Sequence, residues 1–90
     1  MIEQWDQLCQ HWLHEQVTRG SDDDVFASGY LQGHFAVVLA QLDRQPNVAF
    51  SQLQQQMETS LVEAKNELAP ADLALVQHAW QQLSSHLQQA

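Results

Sequence analysis

An all-α fold, an up-down bundle of four helices, is the architecture this sequence predicts, and three observations predict it. Apolar residues recur at three- and four-residue steps in four separate segments, as they must if each segment is a helix burying one side. No segment alternates apolar and polar residues with the period of two that a half-buried strand requires. The breaks between segments are only about two to five residues long, which turns each helix back against the one before it. Ninety residues suit one domain over 1–90, with a single core.

The first segment, 2–17, places Ile2, Trp5, Leu8, Cys9, Trp12, Leu13 and Val17 on about half of a helical wheel. Thr18, Arg19 and Gly20 end it, Gly20 being free to take the left-handed conformation that commonly follows a helix. Ser21 starts the next element at once, as an N-cap followed by three acidic residues that suit the positive end of a helix dipole.

Residues 21–43, SDDDVFASGYLQGHFAVVLAQLD, read as the long helix around which the rest is organised. At about 100° per residue its side chains sort into four strips. Ala27, Leu31, Phe35, Val38 and Leu42 form a large apolar face, while Gly29, Gly33, Ala36 and Ala40 form a strip with almost no side-chain volume beside Phe26 and Val37. Two polar seams separate them, one of Ser28, Gln32 and Asp43, the other of Asp23, Tyr30, His34 and Gln41. A helix with two apolar faces needs covering from two sides, so this one is expected to be the most enclosed.

DRQPN at 43–47 is the clearest break, since Pro46 disfavours helix at Gln45 and Asn47 can cap the next helix. From Val48 to Leu68, the residues Phe50, Leu53, Met57, Leu61, Ala64 and Leu68 make the narrow stripe of a third helix. Pro70 suits the first position of a fourth, along which Leu73, Val76, Trp80, Leu83 and Leu87 recur. The Gln-rich stretches at 52–56, 81–82 and 88–89 sit among these apolar residues and read as solvated helix faces.

Eleven Asp and Glu against three Lys and Arg give a net charge of −8, which argues against nucleic acid and against anionic membrane surfaces, both of which need clustered basic side chains. The single Cys9 excludes an internal disulfide and fits a reducing compartment. The acidic, amphipathic start does not resemble a signal peptide, and no stretch is expected to reach the roughly 18 apolar residues of a membrane span. A cytoplasmic location is expected.

The run SDDDVFASGYLQGHFAVVLAQLD and the later ELAPADLALVQHAW resemble the YfcL family of small bacterial proteins. The SDDxxFASGYLxGH pattern carries that resemblance, joining a cap, two glycines, an aromatic residue and a His at fixed spacing, and the likeness extends over nearly the whole chain. Where relatives tend to have Ser before the proline of the last helix, this chain has Ala69, so that helix lacks a side-chain cap. The resemblance implies an all-helical domain. It brings no catalytic residues, ligand or mechanism with it.

Candidate sites are then weighed on chemistry. Tyr30, His34 and Gln41 share one seam, where His34 either hydrogen-bonds another helix or faces a small ligand or metal. Asp22, Asp23 and Asp24 lack a loop of ligands at calcium-binding spacing and read as first-turn acids. His11, His14 and Glu15 fall on the exposed side of the first helix with no preorganised further ligand, and the Glu-x-x-His pairs of a di-iron bundle are absent, so no metal or cofactor is expected. Cys9 lies on an apolar face without a basic neighbour to activate it. Trp5, Trp12 and Trp80 belong on apolar stripes. The Gly29/Gly33/Ala36/Ala40 strip is either an internal close-packing groove or a contact for a homodimer or an unidentified protein partner. The function expected is a non-enzymatic interaction or self-associating module using that strip. The alternative is a ligand- or metal-binding protein, enzymes included, with a pocket near Tyr30, His34 and Gln41.

Overall fold

A computed structural model describes residues 2–89, and among them it contains only helices and turns. In chain order these are α1 (Ile2–Arg19), α2 (Asp22–Leu42), α3 (Phe50–Val62), the single turn α4 (Ala64–Glu67) and α5 (Pro70–Gln88). The third segment therefore holds a break that periodicity did not reveal. It falls at Glu63, and the chain becomes extended at Leu68, ahead of Pro70.

The start of α2 keeps closely to its sequence. Ser21 Oγ accepts from the Asp24 amide at 3.2 Å and the Asp24 carboxylate accepts from the Ser21 amide at 3.0 Å, a reciprocal box that satisfies two of the free donors at a helix start. Two expected turn roles differ. Gly20 does not have a positive φ. Glycine is required there for space, because a Cβ would lie 2.5 Å from the Gln16 carbonyl oxygen and 2.7 Å from Asp24 Cβ. Asn47 does not cap α3; it is the residue with positive φ, 58°, which Asn tolerates better than most side chains. The N-cap of α3 is Ala49, whose amide donates to Gln52 Oε1 at 2.8 Å.

The core is assembled on α2. Its large apolar face is buried as its spacing predicts, with Ala27, Leu31, Phe35, Val38 and Leu42 joined by Leu39. Against this face pack α1, α3 and α5, bringing Trp5, Cys9 and Trp12, then Leu53, Met57 and Leu61, then Val76, Trp80, Leu83 and Leu87. Trp5 meets Phe50 edge-on at 6.3 Å and Phe35 meets Trp80 at 6.4 Å between ring centroids, so aromatic contacts tie α1 to α3 and α2 to α5. Ser28, expected in a polar seam, is fully buried. Its hydroxyl donates to the Val25 carbonyl at 3.2 Å, which lets a small polar group sit inside the core without an unmet hydrogen bond. Val17, expected on the inner face of α1, is 59% exposed.

The second apolar face of α2 is not enclosed, and the dimensions explain why. The molecule measures 36 × 29 × 18 Å, and with helix axes about 8–10 Å apart the shortest dimension admits two helix layers and no third. One side of α2 is thus left to solvent. By length and composition α2 also falls in the range of a membrane-crossing helix, contrary to the expectation that no stretch does. Leu31, Phe35, Val38 and Leu42, which contribute to that hydropathy, are the residues packed on α1, α3 and α5.

Burial of Cys9, aided by the nearby Asp6 charge, pushes its thiol up to about 12. Since the thiolate is the reactive form, Cys9 should react with Ellman's reagent at pH 8 only as fast as the chain unfolds, and at once in denaturant. Rapid stoichiometric labelling of the native protein would contradict this placement. Because the folded thiol holds its proton more tightly than the unfolded one, the stability it contributes is complete below about pH 8.5, where an unfolded thiol starts to ionise, and is lost as pH climbs toward about 12.

Candidate functional site

Both candidate sites lie on the solvent side of α2, next to each other. Gly29, Gly33, Ala36 and Ala40 are all exposed, and a Cβ built on either glycine would meet nothing within 4 Å. Of the two readings of this strip, an internal close-packing groove is therefore not what this chain forms. Alongside it lie Phe26, 40% exposed, and Val37, 56% exposed, large apolar side chains in water on a helix whose other side is core. From Val25 to Leu42 this helix carries no Asp, Glu, Lys or Arg.

The polar seam is brought together in part. Tyr30 stacks at a tilt on His34, 5.0 Å between centroids, and also neighbours Phe26 at 6.3 Å. The Tyr30 hydroxyl donates to Glu67 Oε2 at 3.0 Å, and His34 Nδ1 lies 2.7 Å from Ser60 Oγ in a hydrogen bond. Gly33, His34, Val37, Ser60 and Glu63 line a shallow, open hollow beside this pair. Gln41 is exposed and is not among the residues lining it. Sequence reasoning missed Ser60, Glu63 and Glu67. Their spacing of three and four puts them on one side of the third segment, and only a paired register of α2 against that segment would have drawn them to Tyr30 and His34.

These bonds meet needs that the side chains have on their own. A half-buried His finds a hydroxyl and a phenol finds a carboxylate, so neither polar group is left unsatisfied. Burial raises the Tyr30 pKa, and the Glu67 hydrogen bond with the Glu67 and Glu63 charges raises it further. As Tyr30 is the only tyrosine, absorbance near 295 nm should titrate above the ordinary phenol value of about 10, and Glu67→Gln should move the midpoint down. An unchanged midpoint in Glu67→Gln would show that the pair does not form in solution. The stability from Tyr30 is present below about pH 10 and is lost as pH rises through its folded pKa.

The remaining candidates lie away from this seam. His11 and His14 are exposed on α1, where His11 Nε2 lies 4.0 Å from Glu15 and Arg19 pairs with Glu15 at 3.6 Å. Among the described residues no group of three or more His, Cys, Asp or Glu is arranged to hold a metal ion. Trp5, Trp12 and Trp80 are all buried in the core.

Comparison with known proteins adds the decisive observation about kinship. The family model described as YfcL protein matches residues 3–85. The chain belongs to the YfcL family. A curated YfcL relative, the Escherichia coli K12 protein called Uncharacterized protein YfcL, is 32% identical over 87 residues, covering 92% of each chain. The YfcL match takes in all of α1 but Ile2, all of α2 to α4 and most of α5, including every residue of the α2 face. No solved structure matches this YfcL chain significantly.

Proposed function

We propose that this YfcL-family domain is an up-down four-helix bundle that acts as a non-enzymatic protein-interaction module, docking through the outer face of α2. The observation that carries the reading is the open apolar strip of Gly29, Gly33, Ala36 and Ala40, flanked by exposed Phe26 and Val37. Small residues lower the surface so that another backbone can approach closely, and the larger side chains on its flank supply apolar area. The up-down course is supported by the two side-chain bonds across the hollow. Moving forward on α2 from Tyr30 to His34, the partners move backward from Glu67 to Ser60.

The competing reading, a small ligand held by Tyr30, His34 and Gln41, has less support. Tyr30 and His34 already hold Glu67 and Ser60, and Gln41 lies outside the hollow.

A photo-crosslinking amino acid in place of Val37 in living cells tests the docking reading. Protein adducts are expected from position 37 and not from an exposed control at Glu58 on α3. No adduct, or the same adducts from both positions, would overturn it. A melt with metals and metabolites is expected to show no stabilising shift that depends on His34.

A further inference from the structure

The open face of α2 is not surrounded by neutral surface. Ile2, Glu3 and Asp6 of α1 border Ala36, Ala40 and Asp43 on one side. Glu63 borders Gly33 and Val37 on the other, with Glu67 held beside it by Tyr30, and Asp22 and Asp23 stand at the N-terminal end. Seven of the chain's eleven acidic residues, all of them exposed, therefore ring one uncharged strip: Glu3, Asp6, Asp22, Asp23, Asp43, Glu63 and Glu67. Of the three basic residues, Arg44 directly follows Asp43, past the C-terminal end of α2. Arg19 is paired with Glu15 on α1, and Lys65 borders a separate groove between α3 and α5.

Resting on the docking reading above, we infer that the occupant of this face is a helical segment of a partner protein, with an apolar ridge flanked on both sides by Lys and Arg. The shape asks for a helix. Gly29 to Ala40 form a line of small residues roughly 16 Å long, which another helix can approach closely with its ridge beside Phe26 and Val37. The charge asks for a basic one. Acids on both rims and at one end attract Lys and Arg and steer their approach, while the uncharged floor avoids burying an unpaired charge. A second copy would meet the face with the same surface turned round, setting acidic rim against acidic rim, and a net charge of −8 on each chain opposes that pairing.

The full chain is titrated against a fluorescein-labelled synthetic helix of about 18 residues, a length that spans the face, with a Leu ridge and Lys on the remaining positions. Two control peptides carry the same residues scrambled and the same ridge with Glu replacing Lys. Anisotropy is expected to show micromolar binding of the ridged Lys peptide and at least tenfold weaker binding of both controls. Raising salt from 0.05 to 0.5 M is expected to weaken the ridged Lys peptide several-fold. Val37→Lys, at an exposed position, is expected to weaken it at least tenfold with an unchanged circular dichroism melt, and the double variant Glu3→Lys, Glu63→Lys to do the same. Equal binding of the scrambled peptide, equal binding of the Glu peptide, or no binding of the ridged Lys peptide would overturn the inference. So would sedimentation showing a wild-type dimer that Val37→Lys dissociates, since a second copy would then cover the face. Adducts at position 37 on neutral or acidic segments would overturn this inference and leave the docking reading standing. No adducts at all would remove both.

Discussion

Phe35→Ala should cost about 3–5 kcal/mol of stability, the largest loss expected from a single side chain here. Phe35 is 1% exposed in the middle of α2, and its ring meets that of Trp80 on α5. Truncation removes apolar contact from two helices at once and leaves a void in a two-layer structure with little else to fill it. Domains of this size hold about 5–10 kcal/mol in total, so the melting temperature should fall by roughly 15–30 °C. Urea unfolding followed by tryptophan fluorescence should show a lower midpoint at an unchanged slope. A loss under about 1 kcal/mol would mean that Phe35 is not in the core. Gly33→Ala, two residues earlier on the open face, is the matched contrast. It should stabilise by about 0.5–1 kcal/mol, because alanine replaces glycine in a helix with nothing to clash against.

Gly20→Ala should cost about 2–3 kcal/mol although the residue lies in a turn between helices. Its added Cβ would fall 2.5 Å from the Gln16 carbonyl oxygen and 2.7 Å from Asp24 Cβ. The first atom is backbone, and it accepts the Gly20 amide at 2.8 Å at the end of α1. The second belongs to the residue that closes the box with Ser21. Neither can yield by rotating a flexible side chain, so the joint between α1 and α2 must open, weakening the box as it does. Thermal melts of Gly20→Ala, Gly29→Ala and Gly33→Ala side by side should show only the first below wild type. Equal melts for all three would show that the joint has room to spare.

The helices were legible in the sequence because each carries an apolar stripe, and most of the residues on the stripes facing inward became core. Leu53, Met57 and Leu61, or Val76, Trp80 and Leu83, could be placed inside by spacing alone. Capping by Ser21 was equally readable, since cap and acidic partner lie three residues apart. Features that depend on distant packing were not readable. Nothing in the periodicity of α2 tells an inner second face from an outer one, and the thickness of the assembled layers decided that. Ser28 went inward and Val17 outward for the same reason, because the edges of a stripe are set by neighbouring helices. The Tyr30 and His34 seam was visible as a row of polar residues, yet its partners Glu67 and Ser60 come from a segment far along the chain. The acidic ring could not be assembled in advance either, as it draws on α1, α2 and its C-terminal end, and the residues in and around α4.

The packing of α5 on α2 has a consequence for birth on the ribosome. Leu31 and Phe35 leave the exit tunnel early, but Val76, Trp80 and Leu83, which help to roof them, lie in the 19-residue α5, translated after the other four helices. At about 5–20 residues per second that helix takes roughly 1–4 s to make. For that interval the nascent chain holds the inner face of α2 only partly covered by α1 and α3, beside an outer face that is open, and this is when it most needs a chaperone's shelter.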